Sequence, residues 1–235
     1  MPEVAENLFK VREKIACAHV KSRFNSGDVQ LVAISKTINA VHIREAYDAG
    51  QLHFGESKLQ EAEDKIAFLP GTICWHFIGR IQRNKVRKLL PLFSVLHAVD
   101  SLKLATYTNE VAKELGLFPE IFLQINVGAE LSKGGFTFEE LRSEMAQILV
   151  LERIKILGLM CIPPEAPDPE AARPWFAMLR QERDALEKQF QTSLPFLSMG
   201  MSGDYEIAIE EGATHVRVGS AIFGKRSYRV DGELG

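Results

Sequence analysis

Cysteine is scarce in this chain of 235 residues: Cys17, Cys74 and Cys161 are odd in number, widely spaced and form no CxxC pair. That excludes a disulfide framework and the usual structural zinc spacing, and it suits a reducing compartment. Long hydrophobic runs are missing too, none approaching the roughly 20 apolar residues of a membrane span. Residues 1–24 interleave Glu3, Glu6, Lys10, Arg12, Glu13 and Lys14 with apolar positions at helical spacing. They read as an amphipathic helix rather than a secretory leader, and the expected location is cytoplasmic. Charge of one sign is absent: 28 Lys and Arg against 31 Asp and Glu give a net charge of −3, so nothing marks a partner among nucleic acids or anionic membranes. The basic stretch RIQRNKVRK (80–88) lacks interleaved aromatics and reads as a solvated helix start. The 6 histidines show no HExxH or other ligand spacing, so no metal site is expected. No GxGxxG follows an apolar run, which removes the dinucleotide reading. Low-complexity linkers and shifts in composition are also lacking, which leaves a single domain over 1–235 with residues 1–28 as an N-terminal helix.

What is present is repetition. Short apolar runs recur as QLVAISK (30–36), LHFGE (52–56), ICWHFIG (73–79), SVLHAVD (94–100), EIFLQINV (120–127), IKILGLMCI (154–162), PFLSMGM (195–201) and THVRVGS (214–220). Between them lie charged stretches with apolar residues three or four apart, such as TFEELRSEMAQILVLE (137–152) and PEAARPWFAMLRQERDALEKQF (169–190). Near-continuous apolar strands alternating with helices specify a parallel sheet covered on both faces. With eight repeats, the expected fold is α/β, a (β/α)8 TIM barrel with an extra N-terminal helix. An open doubly wound sheet is the alternative.

In either architecture the carboxyl ends of the strands carry the chemistry. The runs end in Ser35 and Lys36, Glu56 and Ser57, His76 and Gly79, Asp100 and Ser101, Asn126, Met160, residues 198–202, and residues 217–220. Lys36 either meets water at the edge of its strand or sits in the site. In THVRVGSAIFG, Val216 and Val218 share one parity and face outward, which puts His215, Arg217 and Gly219 inside. A buried guanidinium needs an acceptor, either a carboxylate such as Glu56 or a ligand. Gly219 and Ser220, followed by AIFG, and the Ser202-Gly203-Asp204 turn offer backbone N–H groups and hydroxyls of the kind that hold a phosphate after the last strands of a barrel. Plain helix capping is the competing reading, and the Asp204 carboxylate would repel a phosphate unless it points away. A rim lysine, a phosphate cradle and an interior arginine together suit pyridoxal 5'-phosphate (PLP), whose aldehyde, phosphate and ring nitrogen each need one such partner. A class I aldolase would also place a Schiff-base lysine in a barrel, without a bound chromophore.

The segments VAISKT (32–37), HFGES (53–57), WHFIGRIQRNK (75–85), LQINVGAELSKGGF (123–136), GLMCIP (158–163) and SMGMSGDYEIAIEEGATHVRVGSAIFG (198–224) resemble the PLP homeostasis proteins. That family is similar to the barrel domain of alanine racemase, and the resemblance runs over essentially the whole chain. It implies a Schiff base on Lys36, phosphate contacts from Ser202, Gly219 and Ser220, and a ring contact from Arg217. Asn126, Met160 and Ser198, also at strand ends, complete the expected cofactor-contacting set. One departure is visible: the family's second strand ends Gly-Glu-Asn, whereas this chain has Gly55-Glu56-Ser57. A serine replaces one hydrogen bond of that amide but not two.

Two functions compete on this frame. Reversible holding and delivery of PLP to apo-enzymes is favoured, because an arginine opposite the ring leaves the pyridine nitrogen an acceptor and weakens the ring as an electron sink. Racemase or lyase chemistry is the alternative. Racemisation needs a second base, which the racemase takes from an additional domain of a partner subunit. The sequence offers no such domain, and none of its 4 tyrosines lies in a rim motif. A monomer without robust catalysis is therefore expected.

Overall fold

The computed structural model describes residues 3–24, 27–128, 130 and 134–224; residues 225–235 of the expected domain lie outside the described residues. Helix α1 (Glu3–Lys21) is followed by strand β1 (Gln30–Ile34), α2 (Ala40–Asp48), β2 (His53–Glu56), α3 (Leu59–Ile66), β3 (Cys74–Phe77), α4 (Val86–Leu89) and β4 (Val95–Val99). Then come α5 (Leu102–Leu115), β5 (Glu120–Ile125), α6 (Phe138–Leu149), β6 (Lys155–Cys161), α7 (Arg173–Phe190), β7 (Phe196–Met201), α8 (Tyr205–Glu210), β8 (His215–Val218) and α9 (Ser220–Phe223). All eight apolar runs are strands. They pair in parallel and in sequence order, and β1 pairs with β8 to close the barrel, which excludes the open sheet.

Local chemistry explains the boundaries. Thr137 and Glu140 form a reciprocal capping box at the start of α6, satisfying two amide donors that the first turn leaves open. Ser101 caps α5 and Asn39 caps α2, while Gly116 ends α5 in the left-handed conformation. The 169–190 segment divides where Pro169 opens a 3-10 turn (Pro169–Ala172) before α7 begins. The basic stretch becomes a 3-10 turn (Arg83–Lys85) and the single turn α4. There Arg83 lies 4.8 Å over the Tyr107 ring and Arg87 pairs with Glu114, so these cations serve the surface of the fold.

Two buried layers result. Alternate strand residues such as Leu31, Ala33, Phe54, Trp75, Leu96 and Val216 pack outward under the helices, fully or almost fully buried. The barrel interior is unusual, because aromatic and polar side chains fill much of it in place of the branched aliphatics common in such barrels. His97 stacks on Phe122 at 4.7 Å between ring centres, and His215 packs on Phe122 and on Phe196 at 5.2 Å each. Helix α1 spreads over α8 and α9 by burying Val4, Leu8, Val11, Ile15 and Ala18. Asn7 Nδ2 donates to the Ile222 carbonyl at 3.2 Å, and Arg12 donates to the carbonyls of Ala49 and Gly50.

Candidate functional site

Lys36 follows β1 with the parity of Val32 and Ile34, residues that register beside Arg217 and Gly55 on the inner face. The lysine is therefore directed to the barrel mouth and is half-buried. Its two neighbours are tied down. Ser35 Oγ donates to Glu56 Oε1 at 2.7 Å, and the Ser35 carbonyl accepts from Lys65 Nζ at 2.7 Å. Lys65 Nζ also reaches Glu56 Oε1 at 2.8 Å and Glu61 Oε1 at 2.6 Å, and Glu61 in turn accepts from the Thr37 amide. Thr37 has φ of +66°, a left-handed conformation that is costly for a β-branched residue and here is held by that network.

Glu56 is fully buried, and its Oε2 has no hydrogen-bond partner among the described residues. Burial raises its pKa, while Lys65 and Ser35 pull the other way. Burial also works against the Glu61 charge, yet the bonds from Lys65 and Thr37 leave its pKa below the ordinary value. The glutamate that ends β2 therefore serves Lys65 on α3, and the pairing of Glu56 with Arg217 considered from the sequence does not occur.

Arg217 is 4% exposed and donates to Ser198 Oγ at 2.6 Å and to the Cys161 carbonyl at 2.9 Å. Burial lowers its pKa, but a guanidinium held by neutral oxygens remains a cation and can only donate. The Asp204 carboxylate is the nearby charge that favours it. Burial pushes the Cys161 thiol up to about 12, which keeps it protonated and inert.

The two loops expected to cradle an anion meet. Ser202 Oγ accepts from the Gly219 amide at 3.1 Å. Gly219 also lies against the end of β1, where a Cβ would stand 3.2 Å from the Ile34 carbonyl, so only a residue without a side chain fits comfortably. Ser220 begins α9 at the surface. The Asp204 carboxylate accepts from the Met201 amide at 2.6 Å, bracing the turn between β7 and α8, and burial raises its pKa. Gly200, at φ of +91°, lets α8 approach β7; a Cβ there would be 2.6 Å from that of Ala208.

Other expected site residues stand as follows. Met160 is buried beside Ser198 in register. The Asn126 side chain donates to and accepts from the backbone of Glu130, folding the segment after β5. The neighbouring residues 129 and 131–133 of the LQINVGAELSKGGF segment lie outside the described residues. Ser57 packs its backbone so closely on Gly79 that a Cβ on Gly79 would be 2.2 Å from the Ser57 carbonyl. A rim cavity of about 440 Å³ opens between the Pro-rich residues 162–169 and Met201, Gly203 and Asp204.

Two features escaped sequence reasoning. Glu61 and Lys65 are spaced i,i+4 on a short helix, a pattern ordinarily read as a solvated pair. Three of the six histidines, scattered along the chain, form a line inside the barrel. His53 Nδ1 meets His76 Nε2 at 2.9 Å, His76 Nδ1 meets His97 Nε2 at 2.8 Å, and His97 Nδ1 meets Ser198 Oγ at 2.8 Å, where Arg217 also bonds. Their one sequence signal is shared strand parity. Burial pushes His76 and His97 well below the ordinary histidine pKa and His215 down to about 3.

Comparison with known proteins gives a consistent picture. The family model for the alanine racemase N-terminal domain matches residues 12–227. The PLP homeostasis protein of Aquifex aeolicus is 40% identical over 224 residues, covering 95% of this chain and 98% of the relative. Among solved structures, PipY of Synechococcus elongatus with PLP bound superposes with a TM-score of 0.83 at 39% identity, over 94% of this chain and 100% of that one. Alanine racemase of Clostridium difficile shares the fold, with a TM-score of 0.73 at 16% identity over 94% of this chain and 60% of its own length.

Proposed function

The chain belongs to the pyridoxal phosphate homeostasis proteins and carries the alanine racemase N-terminal domain fold, and from that premise we propose that it holds PLP reversibly at Lys36 and delivers it to apo forms of PLP-dependent enzymes. The observation that carries this reading is the junction of β1 with β8. Gly219 packs on Ile34, two residues before Lys36, while Arg217 and the Ser202 hydroxyl sit on the same side of the barrel closure. When bound, PLP supplies an aldehyde that condenses with an amine and a ring that withdraws electrons.

The residues present fit that group. Lys36 Nζ is the nucleophile, and the Glu56–Lys65–Glu61 network fixes the backbone on both sides of it. The Gly219 amide, exchanging its bond to Ser202 Oγ for one to the ligand, and the hydroxyls of Ser202 and Ser220 bind the phosphate, with Asp204 turned to the Met201 amide. Arg217, donating only, keeps the ring nitrogen unprotonated, and Ser198 and the Cys161 carbonyl orient it. Met160 lies beside Ser198 and Asn126 orders the adjoining loop.

An environment that holds the ring nitrogen unprotonated favours retention over carbanion chemistry. The described tyrosines agree: Tyr47 bonds Thr72, Tyr107 lies under Arg83, and burial pushes the Tyr205 hydroxyl up to about 12, so none is a ready second base. The protein acts as a cytoplasmic monomer. No helix among the described residues is long and apolar enough to cross a membrane, and Cys17, Cys74 and Cys161 are free, which suits a reducing compartment.

The test is a visible absorption spectrum of the PLP-loaded protein, borohydride reduction with peptide mapping, and incubation with D- and L-alanine followed by chiral analysis. A Lys36-linked label absent from Lys36→Ala, no racemised alanine, and activation of an apo-enzyme support the carrier. Turnover at an enzymatic rate would replace it with a racemase, and labelling elsewhere only would remove Lys36 from the site.

A further inference from the structure

The floor of the barrel, opposite the Lys36 mouth, brings together three metal-binding side chains. His53 begins β2, while Cys74 and His76 lie on β3 with one residue between them, so all three share the inner face; His53 registers directly beside Cys74. The ligating atoms of His53, Cys74 and His76 lie within 4.8 Å of one another. We propose that these residues form a zinc site, a function separate from PLP holding and resting on none of its assumptions.

Geometry favours the assignment. Cys74 Sγ and His76 Nε2 are 3.6 Å apart, close to the tetrahedral edge of about 3.6 Å that follows from Zn–N and Zn–S bonds of about 2.05 and 2.3 Å. The His53 Nδ1–His76 Nε2 separation is 2.9 Å and needs to open by only about 0.4 Å to reach the corresponding N–N edge. A second layer is already built. His76 coordinates through Nε2 and so carries its proton on Nδ1, which faces His97 Nε2; this is the outer hydrogen bond that metal-bound histidines characteristically make.

Access is present as well. His53 lines a cavity of about 490 Å³ between α1 and the barrel floor, bordered also by Arg12, His19, Asp28 and Gln51. Zinc enters from that side, the Cys74 S–H proton passes to solvent water in the cavity as the thiolate–metal bond forms, and water takes the fourth position. A set of two imidazoles and one thiolate selects zinc over magnesium or calcium, which prefer oxygen. The site also has a reach beyond itself. Zinc on His76 Nε2 fixes one tautomer, so His76 donates to His97, and His97 then donates to the Ser198 oxygen shared with Arg217.

The experiment is equilibrium dialysis of the full chain against buffered Zn2+, with metal quantified by mass spectrometry, for the unchanged protein and for Cys74→Ser, His53→Gln and Cys17→Ser. Retention close to one zinc per chain is expected, with affinity reduced tenfold or more in Cys74→Ser and His53→Gln and unchanged in Cys17→Ser, whose cysteine is exposed. Zinc X-ray absorption on the unchanged protein, which depends on no variant folding, should read one sulfur and two imidazole nitrogens. No retained zinc, retention indifferent to Cys74→Ser, or an oxygen-only coordination shell overturns the proposal.

Discussion

At the scale of single residues, the backbone on either side of Lys36 is held by side chains of β2 and α3. Lys65 sits 8% exposed between Glu56 and Glu61 and accounts for the placement of Ser35 directly and Thr37 through Glu61. Removing one member of a buried ion pair leaves the other charge stranded, a loss of about 3–5 kcal/mol. Lys65→Met should therefore lower stability by that order in a urea melt at neutral pH, and should also slow PLP loading at Lys36. Because burial already raises the Glu56 pKa, the deficit should shrink as pH falls and that carboxylate takes a proton; Glu56→Gln combined with Lys65→Met should recover most of it. A Lys65→Met protein as stable as the parent would show that the network contributes nothing net.

At the scale of elements, α1 is the piece that a barrel does not require, and its apolar stripe shows why it stays. Leu8 is 1% exposed, between the helix and the end of the fold where α8 and α9 lie. Leu8→Ala should cost about 2–5 kcal/mol of unfolding free energy. If α1 were loosely attached, the melt would instead be unchanged and the helix would be cleaved by protease without loss of the barrel signal. Elements of this kind were legible in the sequence because their periodicity is carried by many residues at once: eight apolar runs became eight strands, and the parity of Val216 and Val218 turned Arg217 inward as expected. What stayed hidden depends on pairings between distant strands and helices. Glu56 found Lys65 instead of Arg217, and His53, Cys74 and His76 converge through sheet register, which ligand spacing along the chain does not record.

At the scale of the whole molecule, the polar interior ties stability to pH. Burial keeps His76, His97 and His215 neutral with folded pKa values below the ordinary one. In the unfolded chain each accepts a proton near pH 6.5. The unfolded state thus binds more protons as pH falls, so this stabilisation is complete above about pH 6.5 and is lost below it. The slope is about 1.4 kcal/mol per histidine per pH unit, or about 4 kcal/mol per unit for the three. Urea midpoints measured between pH 7.5 and pH 5 (values within about two units of the histidine range) should fall steeply on the acid side, and His97→Phe should flatten the decline by roughly a third. A flat profile would mean that the unfolded chain shields these imidazoles equally well.

The closure of β1 on β8 has one more consequence, and it concerns time. During synthesis the strand that precedes Lys36 emerges first of the eight and the strand carrying Arg217 last of the eight, so Lys36 and Arg217 come together only when the first and last barrel strands find each other. Nothing that bridges Lys36 and the Gly219 loop can do so on a nascent or half-folded chain. A ligand held across that seam acts as a clasp on the final joint of the ring, reporting completed assembly and holding the ring shut.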